Sequence, residues 1–136
     1  MFKVLGVDHI GIAVNDLDEV GKFWTEQIGI PCTGKEVVAE QKVETSFNPT
    51  PNGSEIELLA ATDPTSPIAK FIEKNGGRGG IQHIALRVDN IENAIADLMA
   101  KGVKMIDEKP RYGAGGAKIA FLHPKATHGV LLEICE

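Results

Sequence analysis

Cysteine is scarce in this chain. Cys32 and Cys135 are the only two among 136 residues, and neither stands in a CxxC pair. That excludes a thioredoxin-type redox motif and a zinc ribbon. It leaves both thiols as small apolar residues suited to a reducing compartment. No apolar run approaches the ~20 residues that a membrane-spanning helix needs. The opening stretch MFKVLGVDHIGIAV is interrupted by Asp8 and His9 and has no clean cleavage site. A signal peptide is therefore not expected, and a soluble cytoplasmic protein is the default. Basic residues are in the minority, 14 Lys and Arg against 19 Asp and Glu, for a formal charge of −5. This speaks against nucleic acid as the main partner. An anionic small ligand is still allowed, because it needs only a local basic patch. Nothing in the composition marks disorder, collagen or coiled coil. The length fits a single domain over 1–136, able to bury about two-thirds of its unfolded surface.

What the chain does contain is a repeat, the first feature to seek in any sequence. VDHIGIAVNDLDEVGKFWTEQIGI, from Val7, aligns without gaps to IQHIALRVDNIENAIADLMAKGVK, from Ile81, 74 positions later. The two stretches also end alike. GSEIELL from Gly53 matches GVLLEIC from Gly129, 76 positions on, so that Glu57 falls on Glu133. Two matches at nearly one offset point to duplication.

Each half reads as a strand, a helix, then further strands. Val7–Val14 alternates: Ile10, Ile12 and Val14 point one way, while His9, Gly11 and Ala13 point the other. Asp16 is a helix cap with Glu19 three residues on as its capping-box partner. Leu17, Val20, Trp24 and Ile28 form the apolar stripe, and Gly29 ends it. Strands are expected around 35–39, 42–48 and 54–60. In the second half they are expected at Ile81–Val88 and near 103–107, 117–122 and 129–134, with a helix carrying Ile91, Ile95 and Leu98. Between the halves, Ser66 caps a short helix with Pro67 at its first position. The expected fold is α+β: two tandem βαβββ modules (about 4–62 and 80–136) joined by a connector helix (about 63–79). Their sheets are expected to curl around a shared metal-binding cleft.

In that arrangement His9 and His83 are equivalent by repeat, and so are Glu57 and Glu133. A lone strand histidine is more often structural than a ligand, and a lone strand glutamate is usually solvated. Two repeat-related pairs shift the balance toward a shared divalent ion. Glu55 rivals Glu57 from the same face of its strand, but only Glu57 matches Glu133. Two imidazoles with two carboxylates suit Co, Mn, Ni, Fe or Zn. Four protein ligands on an octahedral ion leave two positions open, as a Lewis-acid catalyst requires.

The repeat, the His/Glu pairs and the length resemble the vicinal oxygen chelate superfamily. Within it, the chain is most similar to the methylmalonyl-CoA epimerase family over essentially its whole length. The segments that carry the likeness are VDHIGIAV, SPIAKFIEKNGGRGGIQHIALRVDNI and GAGGAKIAFLHPKATHGVLLEIC. The resemblance implies metal ligands at His9, Glu57, His83 and Glu133, and a homodimer. It implies an activity too: interconversion of the (R)- and (S)-epimers of methylmalonyl-CoA by proton removal and return at the α-carbon. A second catalytic carboxylate carries over to Glu44, with Glu133, or a water on the metal, as its counterpart. From the residues alone, Glu44 shares a strand face with Lys42 and Ser46. Taken at an offset of 76, its repeat position is Ala120, so the acid breaks the repeat. Gly115 and Gly116, in the GAGG turn Gly113–Gly116, are candidates to hold the acyl group through backbone N–H donors. Lys118 and Lys125, with Arg78 and Arg111, are candidates for the coenzyme A phosphates. His123 and His128 have no repeat partner and are read as non-ligands. The same four ligands also suit a glyoxalase I-type lyase acting on a thiol hemithioacetal. A non-catalytic binding module would lack them.

Overall fold

A computed structural model describes residues 1–136. It contains eight strands: β1 (Val4–Ala13), β2 (Gly34–Val38), β3 (Val43–Pro49), β4 (Glu55–Ala61), β5 (Gly80–Val88), β6 (Arg111–Tyr112), β7 (Lys118–Leu122) and β8 (Leu132–Cys135). The helices are α1 (Leu17–Lys22), α2 (Pro67–Lys74) and α3 (Ile91–Ala100). The expected α+β class and the two βαβββ runs are both present. The chain forms two compact units, His9–Gln82 and Met1–Asp8 with His83–Glu136. β1 therefore leaves one unit and enters the other between Asp8 and His9.

In the His9–Gln82 unit the strand order is β2-β3-β4-β1, with β1 and β4 parallel and the other pairs antiparallel. The registers define two faces, because directly paired residues point the same way. One face carries Ile12, Ile56, Leu58 and Ala60, and α1 packs on it through Leu17 and Val20. Asp16 caps this helix by accepting the Glu19 N–H at 3.0 Å. The helix does not stay α-helical to its end. From Phe23 to Ile28 it widens into a π-helical segment that stops at Gly29, at φ 88°. The Thr25 hydroxyl donates back to the Gly21 carbonyl at 3.0 Å, an insertion of the kind that loosens the α ladder. The opposite face carries Ala13, Val43 and Leu59. Here α2 supplies Ile68, Phe71 and Ile72, held by the buried Ser66, whose hydroxyl accepts the Ile68 N–H at 3.1 Å.

In the other unit the order runs β5-β8-β7-β6, with the start of β1 beside β5. α3 covers one face, with Ile91, Ala94 and Ile95 against Val88, Ala120, Leu122 and Ile134. Asn90 caps α3 by accepting the Asn93 N–H at 2.8 Å. The strand expected near 103–107 is reduced to a single bridge, Met105 to Leu122. The reason is local. Ile106 and Asp107 both donate to the one Phe121 carbonyl, while the Asp107 carboxylate accepts the Phe121 N–H at 2.9 Å. The side chain thus takes the place of a ladder bond, and pairing resumes only at Arg111. The last strand begins at Leu132 rather than near 129. His128 (φ 59°) and Gly129 (φ 98°) hold the preceding turn in the left-handed region instead.

Candidate metal centre

Each unit carries one buried His–Glu pair, and strand register accounts for both. In the His9–Gln82 unit, β1 pairs Gly11 with Glu57 and His9 with Glu55. His9 is thus two residues along from Glu57's partner, on the same face. Its Nδ1 lies 3.3 Å from Glu57 Oε2, with the residues 6% and 7% exposed. Between them, at Gly11, no side chain intervenes. In the other unit, Ala85 pairs with Glu133, and His83 again stands two residues away. There His83 Nε2 lies 3.4 Å from Glu133 Oε1, with the residues 6% and 4% exposed. The small residues Gly11 and Ala85 thus play one part twice. Glu55 pairs with His9 along the strands but is only half-buried.

The donor set fits a divalent ion. Charge-assisted N–H···O bonds draw in to about 2.7–2.9 Å, and both pairs are looser than that. Two donors each about 2.1 Å from one ion stand about 3.0–3.4 Å apart, by the bond lengths usual for zinc-like metals. The surroundings also suit ligands. Phe121, paired with Glu133 across β7 and β8, sets its ring edge-on to His83 with centroids 5.6 Å apart. The Arg111 guanidinium lies over the other partner of this stack, 5.5 Å from the Phe121 centroid. Arg87, on β5 beyond Ala85, is held by Asp8 at 3.0 Å. Burial pushes the Cys135 thiol well up, helped by the Asp8 charge, so it stays protonated and donates to the Leu86 carbonyl at 3.6 Å. It is not a competing thiolate ligand.

Glu44 does not share a sheet face with its unit's pair. In β3, Phe47 pairs with Glu57, whereas Glu44 pairs with Ala60 and Ser46 with Leu58. Glu57 and Glu44 therefore leave the sheet on opposite faces, Glu44 on the side covered by α1. Lys35 shows the same placement: its ammonium is held protonated by its bond to Asp18, and the Glu44 charge adds to this from nearby. The repeat offset differs between strands. Phe47 faces Glu57 as Phe121 faces Glu133, so equivalent positions on β3 and β7 are 74 apart. The counterpart of Glu44 is then Lys118, not Ala120. On the Glu57 side, β3 offers Thr45, 1% exposed, whose hydroxyl has no hydrogen-bond partner. A polar atom buried at the centre of a strand is a signal that periodicity alone cannot supply.

Gly115 and Gly116 lie in a tight turn at φ 72° and 76°, closed by the Gly113 N–H bonding to the Ala117 carbonyl at 2.9 Å. Lys118 pairs with Glu92 at the start of α3, 3.5 Å away. Lys125 and Arg78 are exposed. Arg111 is tied to Asp107 at 3.2 Å. His123 accepts the Lys125 N–H through Nδ1 at 3.1 Å, and His128 is exposed. No helix is long and apolar enough to cross a membrane.

Comparison with known proteins agrees with this architecture. Residues 8–121 match the family model of the Glyoxalase/Bleomycin resistance protein/Dioxygenase superfamily. The chain is 38% identical over 130 residues to the mitochondrial methylmalonyl-CoA epimerase of Dictyostelium discoideum, covering 96% of this chain and 77% of that protein. The crystal structure of methylmalonyl-CoA epimerase from Mycobacterium tuberculosis superposes with a TM-score of 0.93 at 36% identity, covering 98% of this chain and 88% of that one. A methylmalonyl-CoA epimerase solved in complex with methylmalonyl-CoA and NH4+ gives 0.90 at 38% identity, covering 98% and 94%. This chain belongs to the Glyoxalase/Bleomycin resistance protein/Dioxygenase superfamily and, within it, to the methylmalonyl-CoA epimerase family.

Proposed function

We propose that this chain epimerises methylmalonyl-CoA, with His9, Glu57, His83 and Glu133 holding one divalent ion. The observation that carries the reading is the buried His–Glu pair that recurs, at nearly one spacing, in each unit of a chain whose relatives are epimerases of this thioester. When bound, the ion supplies the positive charge that an enolate oxygen needs. The chain's own residues do the rest. His9 and His83 bind as neutral imidazoles, and Glu57 and Glu133 offset the charge of the ion. Phe121 sets its ring edge against His83, and the Arg111 guanidinium lies over that ring. Inversion requires a proton to leave one face of the α-carbon and another to arrive at the opposite face. We assign one of these transfers to Glu133, at Oε2, the oxygen other than the one that approaches His83.

The experiment is incubation of the metal-loaded protein with one epimer of methylmalonyl-CoA in D₂O. The expected result is a racemised α-centre carrying deuterium. Turnover of the methylglyoxal–glutathione hemithioacetal, with no exchange in methylmalonyl-CoA, would move the chain to glyoxalase chemistry.

A further inference from the structure

We infer that Phe121 is a positioning residue for the metal ligand His83, and that Asp107 and Arg111 lock its ring in place. The inference rests on the four-ligand site proposed above and adds what aims one of its imidazoles.

The side chains involved all lie in the unit made of Met1–Asp8 and His83–Glu136. Phe121 stands directly opposite Glu133 across β7 and β8, while β5 lies on the other side of β8. His83 therefore approaches Glu133 from one flank and Phe121 from the other. Neighbouring strands are about 4.8 Å apart, so β5 and β7 are separated by about 10 Å. The His83 and Phe121 centroids are nevertheless only 5.6 Å apart, with ring planes at 79°. Both rings lean inward over β8, into the perpendicular contact that aromatic pairs favour. That contact bears on aim. His83 Nε2 is the nitrogen that approaches Glu133, at 3.4 Å. A ligand imidazole has to present one lone pair along a fixed line, and rotation of the ring spoils it. Groups just outside the ligands usually fix that rotation by hydrogen bonding. Phe121 does so by shape, standing where the His83 ring would otherwise turn.

The leaning ring is itself held, and Asp107 holds it by two routes. Its Oδ2 accepts the Phe121 N–H at 2.9 Å. Its Oδ1 lies 3.2 Å from Nε of Arg111. The guanidinium anchored in this way sits over the Phe121 ring, 5.5 Å from the centroid, where a cation is drawn to the ring face.

Ordinary core packing explains less. Phe121 does touch the buried Ala85, Ile119 and Cys135, but it is only half-buried, and such packing calls for neither the cation nor its aspartate. The repeat points the same way. Phe47 stands opposite Glu57 as Phe121 does opposite Glu133. Yet the edge-strand position that holds Arg111 opposite Ile119 holds Glu36 opposite Thr45. A carboxylate is repelled by the ring face that a guanidinium caps. The bracing thus distinguishes two histidines that duplication made equivalent.

The test is titration of the metal-free protein with Co²⁺, followed by visible absorption, alongside the melting temperature of each metal-free variant. Phe121→Leu keeps an apolar side chain but no ring. It should weaken Co²⁺ binding about 10- to 100-fold, the usual cost of losing a group that orients a ligand. It should also change the Co²⁺ absorption band, which a loss of fold stability alone would not do. Arg111→Met should weaken binding about 2- to 5-fold, the worth of a half-exposed cation–π contact. The same change made in Phe121→Leu should have no further effect. A Phe121→Leu protein that binds Co²⁺ as tightly as the unaltered one, with the same band, overturns the inference whatever its melting temperature. An equal effect of Arg111→Met in both backgrounds would mean that its charge acts on the ion directly, and would overturn the part given to Arg111. If the unaltered protein takes up no Co²⁺, the four-ligand site fails, and this inference with it.

Discussion

Gly79 stands where the chain re-enters the sheet before β5, and replacing it with alanine should loosen the strand that carries His9. A Cβ built on Gly79 would collide with the carbonyl oxygen of Ala13, with the Ala13 carbonyl carbon at 3.3 Å and Val14 Cα at 3.5 Å. These are backbone atoms at a fully buried residue, so no side-chain rotation relieves the clash. Ala13 is also paired with Leu59 on β4, and the next residue donates its N–H to Leu59 at 2.9 Å. Relief must therefore move β1 against β4 or push out the connector, at a cost of about 1–3 kcal/mol for overpacking. With an unfolding entropy of about 2.1 cal/mol/K per residue, that corresponds to a fall in melting temperature of about 3–10 °C for a chain of this length. The assay is thermal unfolding followed by circular dichroism, with Gly21→Ala as the control. Gly21 lies inside α1 with nothing within 4 Å of a built Cβ, so alanine there should stabilise by about 0.5–1 kcal/mol. A Gly79→Ala protein that melts within a degree of the original would refute the close approach and the placement of the connector with it.

Two further outcomes are expected. A thiol-alkylating reagent at pH 8 should label Cys32, which is exposed, and spare Cys135, whose burial and raised ionisation keep it neutral until well above that pH. Two labels per folded chain, counted by mass spectrometry, would contradict the packing of β8. Ser66→Ala should cost about 1 kcal/mol by removing the α2 cap, measured as a lower urea midpoint at an unchanged slope.

Much of the architecture was legible because it is written in short-range patterns. Asp16, Ser66 and Asn90 each sit before an apolar stripe and cap the helix that follows. Alternation in β1 and β5 assigned His9 and His83 to faces with small neighbours, and the repeat selected Glu57 over Glu55. The losses have one cause, which is pairing between strands. Alternation correctly grouped Glu44 with Ser46, but only the register of Phe47 with Glu57 shows that this group faces α1. The register also sets the repeat offset, which is 76 between β4 and β8 but 74 between β3 and β7. Near Met105, apolar residues promised a strand, yet the Asp107 side chain replaced the ladder bond.

The central claim is that two pairs from a duplicated scaffold serve one cation. Metal analysis of the purified protein at saturation, by native mass spectrometry, tests it most directly. One divalent ion per chain should be found, and His9→Ala and His83→Ala should each abolish it. Two ions per chain, or one that survives in either variant, would mean that the pairs act separately and would contradict the account.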